Sequence, residues 1–199
     1  MKFKIRKYHP SDIKSLYNIS LYTSNNGNDV ELLKDEPNLI GDIFLKPYVQ
    51  FEPELCFVLT LENEPCGYII GTKNTEEFYL KTEKEYFPNL REKYKSLPKD
   101  QNARFAVLKK VIQNGHKPKD KFDLYPAHLH INILPIAKGE GMGRKLMDEL
   151  MNELKSIEVH GLHLEVGKSN INAIQFYEHI GFKIIKDYEY SLVMGIKIY

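Results

Sequence analysis

Leu129-His130-Ile131-Asn132-Ile133-Leu134-Pro135-Ile136-Ala137-Lys138-Gly139-Glu140-Gly141-Met142-Gly143-Arg144-Lys145-Leu146-Met147 is the stretch that decides how this chain is read. A β-branched run with alternating apolar residues ends at Pro135, which predicts a strand over 127–134. Gly139, Gly141 and Gly143 mark a loop. Leu146, Leu150 and Leu154 then recur every fourth residue, which predicts an amphipathic helix over 141–156. A strand, a glycine loop and a helix N-terminus together favour an anion. Orphan backbone N–H groups point outward there, and the helix dipole attracts negative charge.

Downstream, 161–166 reads as a strand. Asn170 or Asn172 caps a short helix over 173–179, and Gly181 follows in a plausible C′ position. The strands 182–186 and 190–198 close the chain and are available to pair across a homodimer. Upstream, 2–7 alternates like an edge strand. Ser11-Asp12 opens a helix carrying Ile13, Leu16, Tyr17 and Ile19, which Asn25-Asn26-Gly27-Asn28 breaks. A second helix is expected over 29–46, interrupted at Pro37. A hairpin is expected at 55–61 and 66–72, turning at Glu62-Asn63-Glu64-Pro65. The lysine-rich stretch 73–121 carries enough Phe, Tyr, Leu and Val for two or three helices and is treated as an insertion. Alternating α and β elements imply an α/β sheet, at least partly parallel.

With 199 residues, 42% of them hydrophobic and 28% charged, one globular domain spanning 1–199 is expected. No apolar run is long enough to span a bilayer. The basic start Met1-Lys2-Phe3-Lys4 lacks an apolar region behind it, so a cytoplasmic setting is expected. A net charge of +1 does not call for nucleic acid. The charge is uneven, because 73–121 holds 13 Lys and Arg against 7 Asp and Glu. Pairing Leu61 with Cys66 would set Cys56 opposite Gly71, a register that keeps the two thiols from bridging. The histidines lack metal-ligand spacing, so no metal site is expected.

Two other readings of the glycine loop fit the residues less well. A P-loop needs Gly-Lys-Ser/Thr, and Gly143-Arg144-Lys145-Leu146 lacks the hydroxyl. A Rossmann site needs its glycines directly after the strand, whereas Pro135-Ile136-Ala137-Lys138 intervenes, and too little chain follows for a second half-sheet.

A third reading is specific. Lys138-Gly139-Glu140-Gly141-Met142-Gly143 resembles the Arg/Gln-x-x-Gly-x-Gly/Ala loop of the GNAT superfamily of N-acetyltransferases. Val166, Asn170-Ile171-Asn172-Ala173, Tyr177 and Gly181-Phe182 resemble that superfamily's second motif, in the right order and spacing. Tyr125-Pro126-Ala127-His128-Leu129-His130-Ile131-Asn132 resembles the acetyltransferase-like domain found with O-GlcNAcases and its free-standing bacterial relatives.

The resemblance implies a GNAT acyl-CoA N-acyltransferase fold with a mixed, mostly antiparallel sheet, flanking helices and a helical insertion at 73–121. It implies acetyl-CoA as cofactor and an amine-bearing acceptor, with direct transfer in a ternary complex. The loop residues Lys138, Gly139, Gly141, Met142, Gly143 and Arg144 would hold the pyrophosphate. Ile133 and Leu134 would flank the pantetheine arm, and Asn170 and Ala173 would complete the cofactor site. Tyr177 would protonate the departing thiolate. His130 or His128, each with a reference pKa of about 6.5, would take the proton from the amine.

Two departures from the family pattern stand out. Lys138 replaces Arg or Gln, offering a point charge instead of a planar fork. Asn132 stands where some relatives carry Asp and cannot act as a base, which leaves Asp123 and Glu52 as carboxylate candidates. These departures keep open a second reading, an acyl-CoA-binding domain that does not catalyse transfer.

Overall fold

The computed structural model describes residues 2–96 and 103–199. The chain begins with strand β1 (Phe3–Lys7) and a 3-10 turn at Pro10–Asp12. Helices α1 (Ile13–Thr23), α2 (Asp29–Leu32), α3 (Leu39–Phe44) and α4 (Lys46–Phe51) follow. The helix expected over 29–46 is therefore two short helices, because 33–38 turns away around Pro37 before α3 begins. The hairpin is β2 (Cys56–Leu61) and β3 (Glu64–Thr72). Glu62 and Asn63 form its two-residue turn, both at positive φ (49° and 74°), which suits the twist of the flanking strands.

That turn corrects the expected register. Leu61 pairs with Glu64, and an irregularity between Leu59 and Thr60 brings Cys56 opposite Ile70. Cys56 and Cys66 remain free and pack into separate hydrophobic clusters.

The lysine-rich stretch folds into α5 (Thr75–Glu85), α6 (Phe87–Lys93) and α7 (Ala103–Asn114), and residues 97–102 within it lie outside the described residues. Then come β4 (Ala127–Ile133), α8 (Met142–Ser156), β5 (Gly161–Gly167), α9 (Ile171–His179), β6 (Lys183–Asp187) and β7 (Ser191–Lys197). Among the described residues, no helix is long and apolar enough to cross a membrane.

Among the described residues, seven strands form one sheet in the order β1-β2-β3-β4-β5-β7-β6. The sheet is mixed and mostly antiparallel, and only β4 and β5 run parallel, joined by the α8 crossover. One face packs on α8 and α9. Leu146, Met147, Leu150 and Leu154 of α8 are fully buried there, against Leu129, Leu162 and Leu164 among others. Each such side chain contributes roughly 1.5–3 kcal/mol by leaving water. The other face packs on α1 and α4 through Leu16, Ile19, Tyr48, Tyr68 and Phe78.

A third cluster joins α3 to α6 and α7 through Ile40, Ile43, Phe87, Leu90, Leu108 and Ile112. The buried carboxylate of Asp42 anchors this layer. It accepts hydrogen bonds from the Tyr17 hydroxyl (2.5 Å), the Tyr94 hydroxyl (2.6 Å) and Lys93 Nζ (2.5 Å), and the Asp42 backbone carbonyl accepts from the Tyr86 hydroxyl (2.6 Å). This tie fixes α3, whose last residue, Phe44, lines the cavity described next.

Candidate functional site

The glycine loop forms as its residues dictate. After the 3-10 turn Pro135–Ala137, Gly139 and Gly141 adopt φ of +82° and +70°, a left-handed backbone that strains any residue with a Cβ. Neither glycine has a neighbour within 4 Å of where a Cβ would lie, so the space over the loop is open. Gly143 serves a different purpose. A Cβ there would come 3.2 Å from the Phe176 ring, so this glycine lets α8 approach α9.

Gly141 caps α8 without a side-chain hydrogen bond, and the first helical bond of α8 runs from Lys145 N–H to the Gly141 carbonyl. The N–H groups of Met142, Gly143 and Arg144 thus lack intrahelical partners and face the open loop end. The Met142 side chain is buried in the core, so only its backbone is available to an anion. Lys138 is exposed, and Arg144 pairs with Asp148 at 3.3 Å, an exposed ion pair that an incoming anion can readily displace.

The loop leads into a gap between strands. β4 and β5 pair only at Ala127 with Leu162 and His128 with His163, and then separate. On its other side β4 pairs with β3, and Leu134 N–H donates to the Cys66 carbonyl at 2.9 Å. Hydrogen-bonding direction alternates along an antiparallel strand, so the N–H groups of Ile131 and Ile133 point into the gap beside β5. The Leu134 N–H is bonded to β3, so the N–H groups left open to the gap are those of Ile131 and Ile133.

Tyr177 and the paired histidines lie on opposite faces of the sheet. Tyr177 lies on α9 in the α8-side core, 8% exposed, its ring beside Phe176 and Phe182. Burial raises its pKa to about 12, so at neutral pH it holds its proton. The Asn170 side-chain oxygen accepts from Ala173 N–H (3.2 Å) and caps α9.

On the other face, His128, His130 and Asn132 point the same way from β4. Asn132 Nδ2 donates to Thr23 Oγ1 at 2.6 Å. The carboxylate candidates are engaged elsewhere. Glu52 accepts from Thr72 Oγ1 (2.7 Å) and Lys73 N–H (2.9 Å), and Asp123 pairs with Lys121 at 3.1 Å.

The histidines instead belong to a buried hydrogen-bonded chain. Tyr48 Oη lies 2.7 Å from His128 Nε2 and 3.1 Å from His130 Nε2, and Thr75 Oγ1 lies 2.8 Å from both His128 Nδ1 and the Pro126 carbonyl. The chain has two self-consistent orientations. In one, Thr75 O–H donates to Pro126, His128 Nδ1–H donates to Thr75, Tyr48 O–H donates to His128, and His130 Nε2–H donates to Tyr48. His130 Nδ1 then carries a free lone pair. In the other, Thr75 O–H donates to His128 Nδ1 and the remaining donors reverse. Burial lowers the His130 pKa to about 4 and drives that of His128 well below its ordinary value, so both rings are neutral near pH 7.

These rings open onto a cavity of about 450 Å³ that also reaches Phe44, Tyr79, His116, Glu165 and Tyr188. Glu165 at its edge accepts from Lys119 (2.6 Å) and Ser191 (2.5 Å). Sequence reasoning missed Tyr48, Thr75, Tyr79 and His116. A paired-histidine strand calls for an ordering hydroxyl nearby, but no local pattern names which one.

Residues 120–192, covering β4 through β6, match the family model described as Acetyltransferase (GNAT) domain. The chain is 26% identical over 190 residues to Protein O-GlcNAcase of Rattus norvegicus, covering 92% of this chain and 20% of that protein. It is 35% identical over 104 residues to the ribosomal protein bS18-alanine N-acetyltransferase of Salmonella typhimurium, covering 51% of this chain and 63% of that protein. The chain therefore spans about a fifth of the first relative and less than two thirds of the second. The crystal structure of SsHAT superposes with a TM-score of 0.87 at 28% identity, over 100% of both chains. PaiA N-acetyltransferase from Thermoplasma acidophilum, in complex with coenzyme A, shares the fold with a TM-score of 0.58 at 14% identity, over 99% of both chains.

Proposed function

We propose that this chain, whose residues 120–192 match the GNAT acetyltransferase family model, is an acetyl-CoA-dependent N-acetyltransferase that acts on a primary amine by direct attack in a ternary complex. One observation carries the reading most: β4 and β5 pair over only two residues and then part beside a glycine loop with free N–H groups. That gap suits an extended arm, which the N–H groups of Ile131 and Ile133 would hold as if it were an added strand. The N–H groups of Met142, Gly143 and Arg144, with Lys138, would hold the pyrophosphate. Bound acetyl-CoA supplies the activated acyl group.

The residues divide the proton work. An N–H group of β4 polarises the thioester carbonyl as negative charge develops on it. The buried, neutral histidines and the aromatic rings around them favour the uncharged amine over its ammonium form. His130 Nδ1 takes a proton from the amine nitrogen after attack, while Tyr48 and His128 hold its other nitrogen in the matching orientation. Tyr177 gives its proton to the leaving sulfur from the opposite face. His130 is the base of this reading, and His128 orients the chain through Tyr48. Asn170 and Ala173 position α9 under the cofactor arm.

We further propose that residues 1–199 work as a single domain in the cytoplasm, and that edge strand β6 is available to pair across a homodimer. Calorimetric titration with acetyl-CoA, followed by free-thiol release with a panel of amines, tests the reading. Saturable binding with no amine-dependent release would favour the non-catalytic alternative.

A further inference from the structure

The hydrogen-bonded chain through the histidines ends at an atom that can only accept. Thr75 opens α5, outside the segment matched by the family model, and is buried. Asn74 caps this helix by accepting from Glu76 N–H (3.1 Å) and Glu77 N–H (3.3 Å), and Thr75 N–H donates to the Pro126 carbonyl at 2.8 Å. Pro126 directly precedes β4. The residue that meets His128 Nδ1 is thus clamped to the strand that carries both histidines.

This end decides between the two orientations of the chain. The Thr75 hydroxyl has one proton, and its oxygen lies 2.8 Å from both the Pro126 carbonyl oxygen and His128 Nδ1. A carbonyl oxygen has no proton to give. If Thr75 donated to His128, two oxygens would face each other at 2.8 Å with no proton between them. Donation to Pro126 removes that repulsion and leaves Oγ1 to accept from His128 Nδ1–H. The chain then makes four hydrogen bonds, against three in the reverse orientation.

The two contacts of Tyr48 point the same way. An O–H donor approaches an oxygen acceptor more closely than an N–H donor does, at about 2.7–2.8 Å against 2.9–3.0 Å. Tyr48 Oη is 2.7 Å from His128 Nε2 and 3.1 Å from His130 Nε2. The short contact fits the phenol donating to His128, and the long one fits His130 Nε2–H donating to the phenol. His130 Nδ1 keeps its lone pair, the form that can take a proton from an amine.

We infer that Thr75 is a positioning residue. By donating to the Pro126 carbonyl it fixes the tautomer of His128 and, through Tyr48, that of His130, so that His130 presents a base. This rests on the acetyl-transfer reading above and names a further residue of that same site.

The test uses the full chain labelled with nitrogen-15 in its histidines. Long-range proton–nitrogen correlation spectra at neutral pH distinguish a protonated ring nitrogen from one with a lone pair, and His128→Gln and His130→Gln assign the signals. The unaltered chain is expected to carry its proton on Nδ1 in His128 and on Nε2 in His130. Thr75→Val keeps the shape and removes the hydroxyl, so His128 Nδ1–H loses its acceptor and both rings shift toward the reverse tautomers. Thiol release from acetyl-CoA, with n-butylamine, glycinamide and lysine amide as acceptors, is expected to fall about tenfold in kcat at unchanged acetyl-CoA affinity. Thr75→Ser restores both the spectrum and the rate. The reverse tautomers in the unaltered chain, or a Thr75→Val variant that keeps the original tautomers or the original kcat, would each overturn the inference and leave acetyl transfer standing. The spectrum of the unaltered chain decides the orientation even if Thr75→Val does not fold. The expected tautomers with acetyl-CoA bound but no thiol released for any amine would instead overturn the acetyl-transfer reading, and the part of Thr75 in it.

Discussion

Tyr48 on α4 sets its hydroxyl 2.7 Å from His128 Nε2, joining a helix of the N-terminal half to a strand 80 residues later. Tyr48 is fully buried, and the same oxygen lies 3.1 Å from His130 Nε2. The only side chain bridging the two histidines in the described hydrogen-bonded chain is therefore this phenol. Tyr48→Phe keeps the packing on Phe78 and removes the bridge. It leaves His128 Nε2 buried and unpaired, which costs about 1–3 kcal/mol of stability. In our account kcat falls on the order of 10-fold or more, while the dissociation constant for acetyl-CoA stays the same. Thermal unfolding, calorimetry and initial rates check the three parts separately.

Tyr177→Phe tests the acid on the opposite face. The change removes one oxygen from a side chain packed on Phe176 and Phe182, so folding and acetyl-CoA affinity should be retained. Turnover should drop about 10²-fold, the lower range for loss of a general acid. Unchanged turnover would remove Tyr177 from the mechanism.

The three loop glycines should respond differently to alanine. At Gly139 and Gly141 the added methyl meets nothing, so the expected cost is the left-handed backbone, roughly 1–2 kcal/mol each, together with weaker acetyl-CoA binding. At Gly143 the methyl meets Phe176 at 3.2 Å, so stability should suffer through the contact between α8 and α9. Paired unfolding and calorimetric measurements on Gly141→Ala and Gly143→Ala separate the two cases.

The buried histidines also predict how stability depends on pH. Burial lowers His116 and His130 from 6.5 to about 4 in the fold. Between those values the unfolded chain binds more protons than the folded one, so stability rises with pH. The stabilisation is fully present above about pH 6.5 and is lost as pH falls toward 4. The melting temperature of the unaltered chain should decline across that window, and His116→Phe should decline less steeply.

The loop and its neighbours were legible in the sequence because their signals are local. Glycines at positive φ, a leucine every fourth residue and an asparagine cap all act within a few residues, so strand, loop and helix could be placed nearly to their ends. The gap between β4 and β5 was less legible, since the choice between Ile131 and Leu134 depends on which way β3 pairs. Tyr48, Thr75 and His116 were not legible at all. They lie 80, 53 and 12 residues from His128, and only packing brings them to it or to its cavity. The hairpin register differs from the expected one because the two-residue turn at Glu62 and Asn63 and a separate irregularity between Leu59 and Thr60 each shift the pairing.

The central claim is direct acetyl transfer from a ternary complex, with His130 taking the proton. It is tested most directly by initial rates of thiol release from acetyl-CoA, with both acetyl-CoA and a primary amine varied, for the unaltered chain and for His130→Gln. The account predicts rates that saturate in both substrates with intersecting double-reciprocal lines, and a loss of about 10²-fold or more in kcat for the variant at unchanged acetyl-CoA affinity. Parallel lines, or a His130→Gln variant as fast as the unaltered chain, would contradict it.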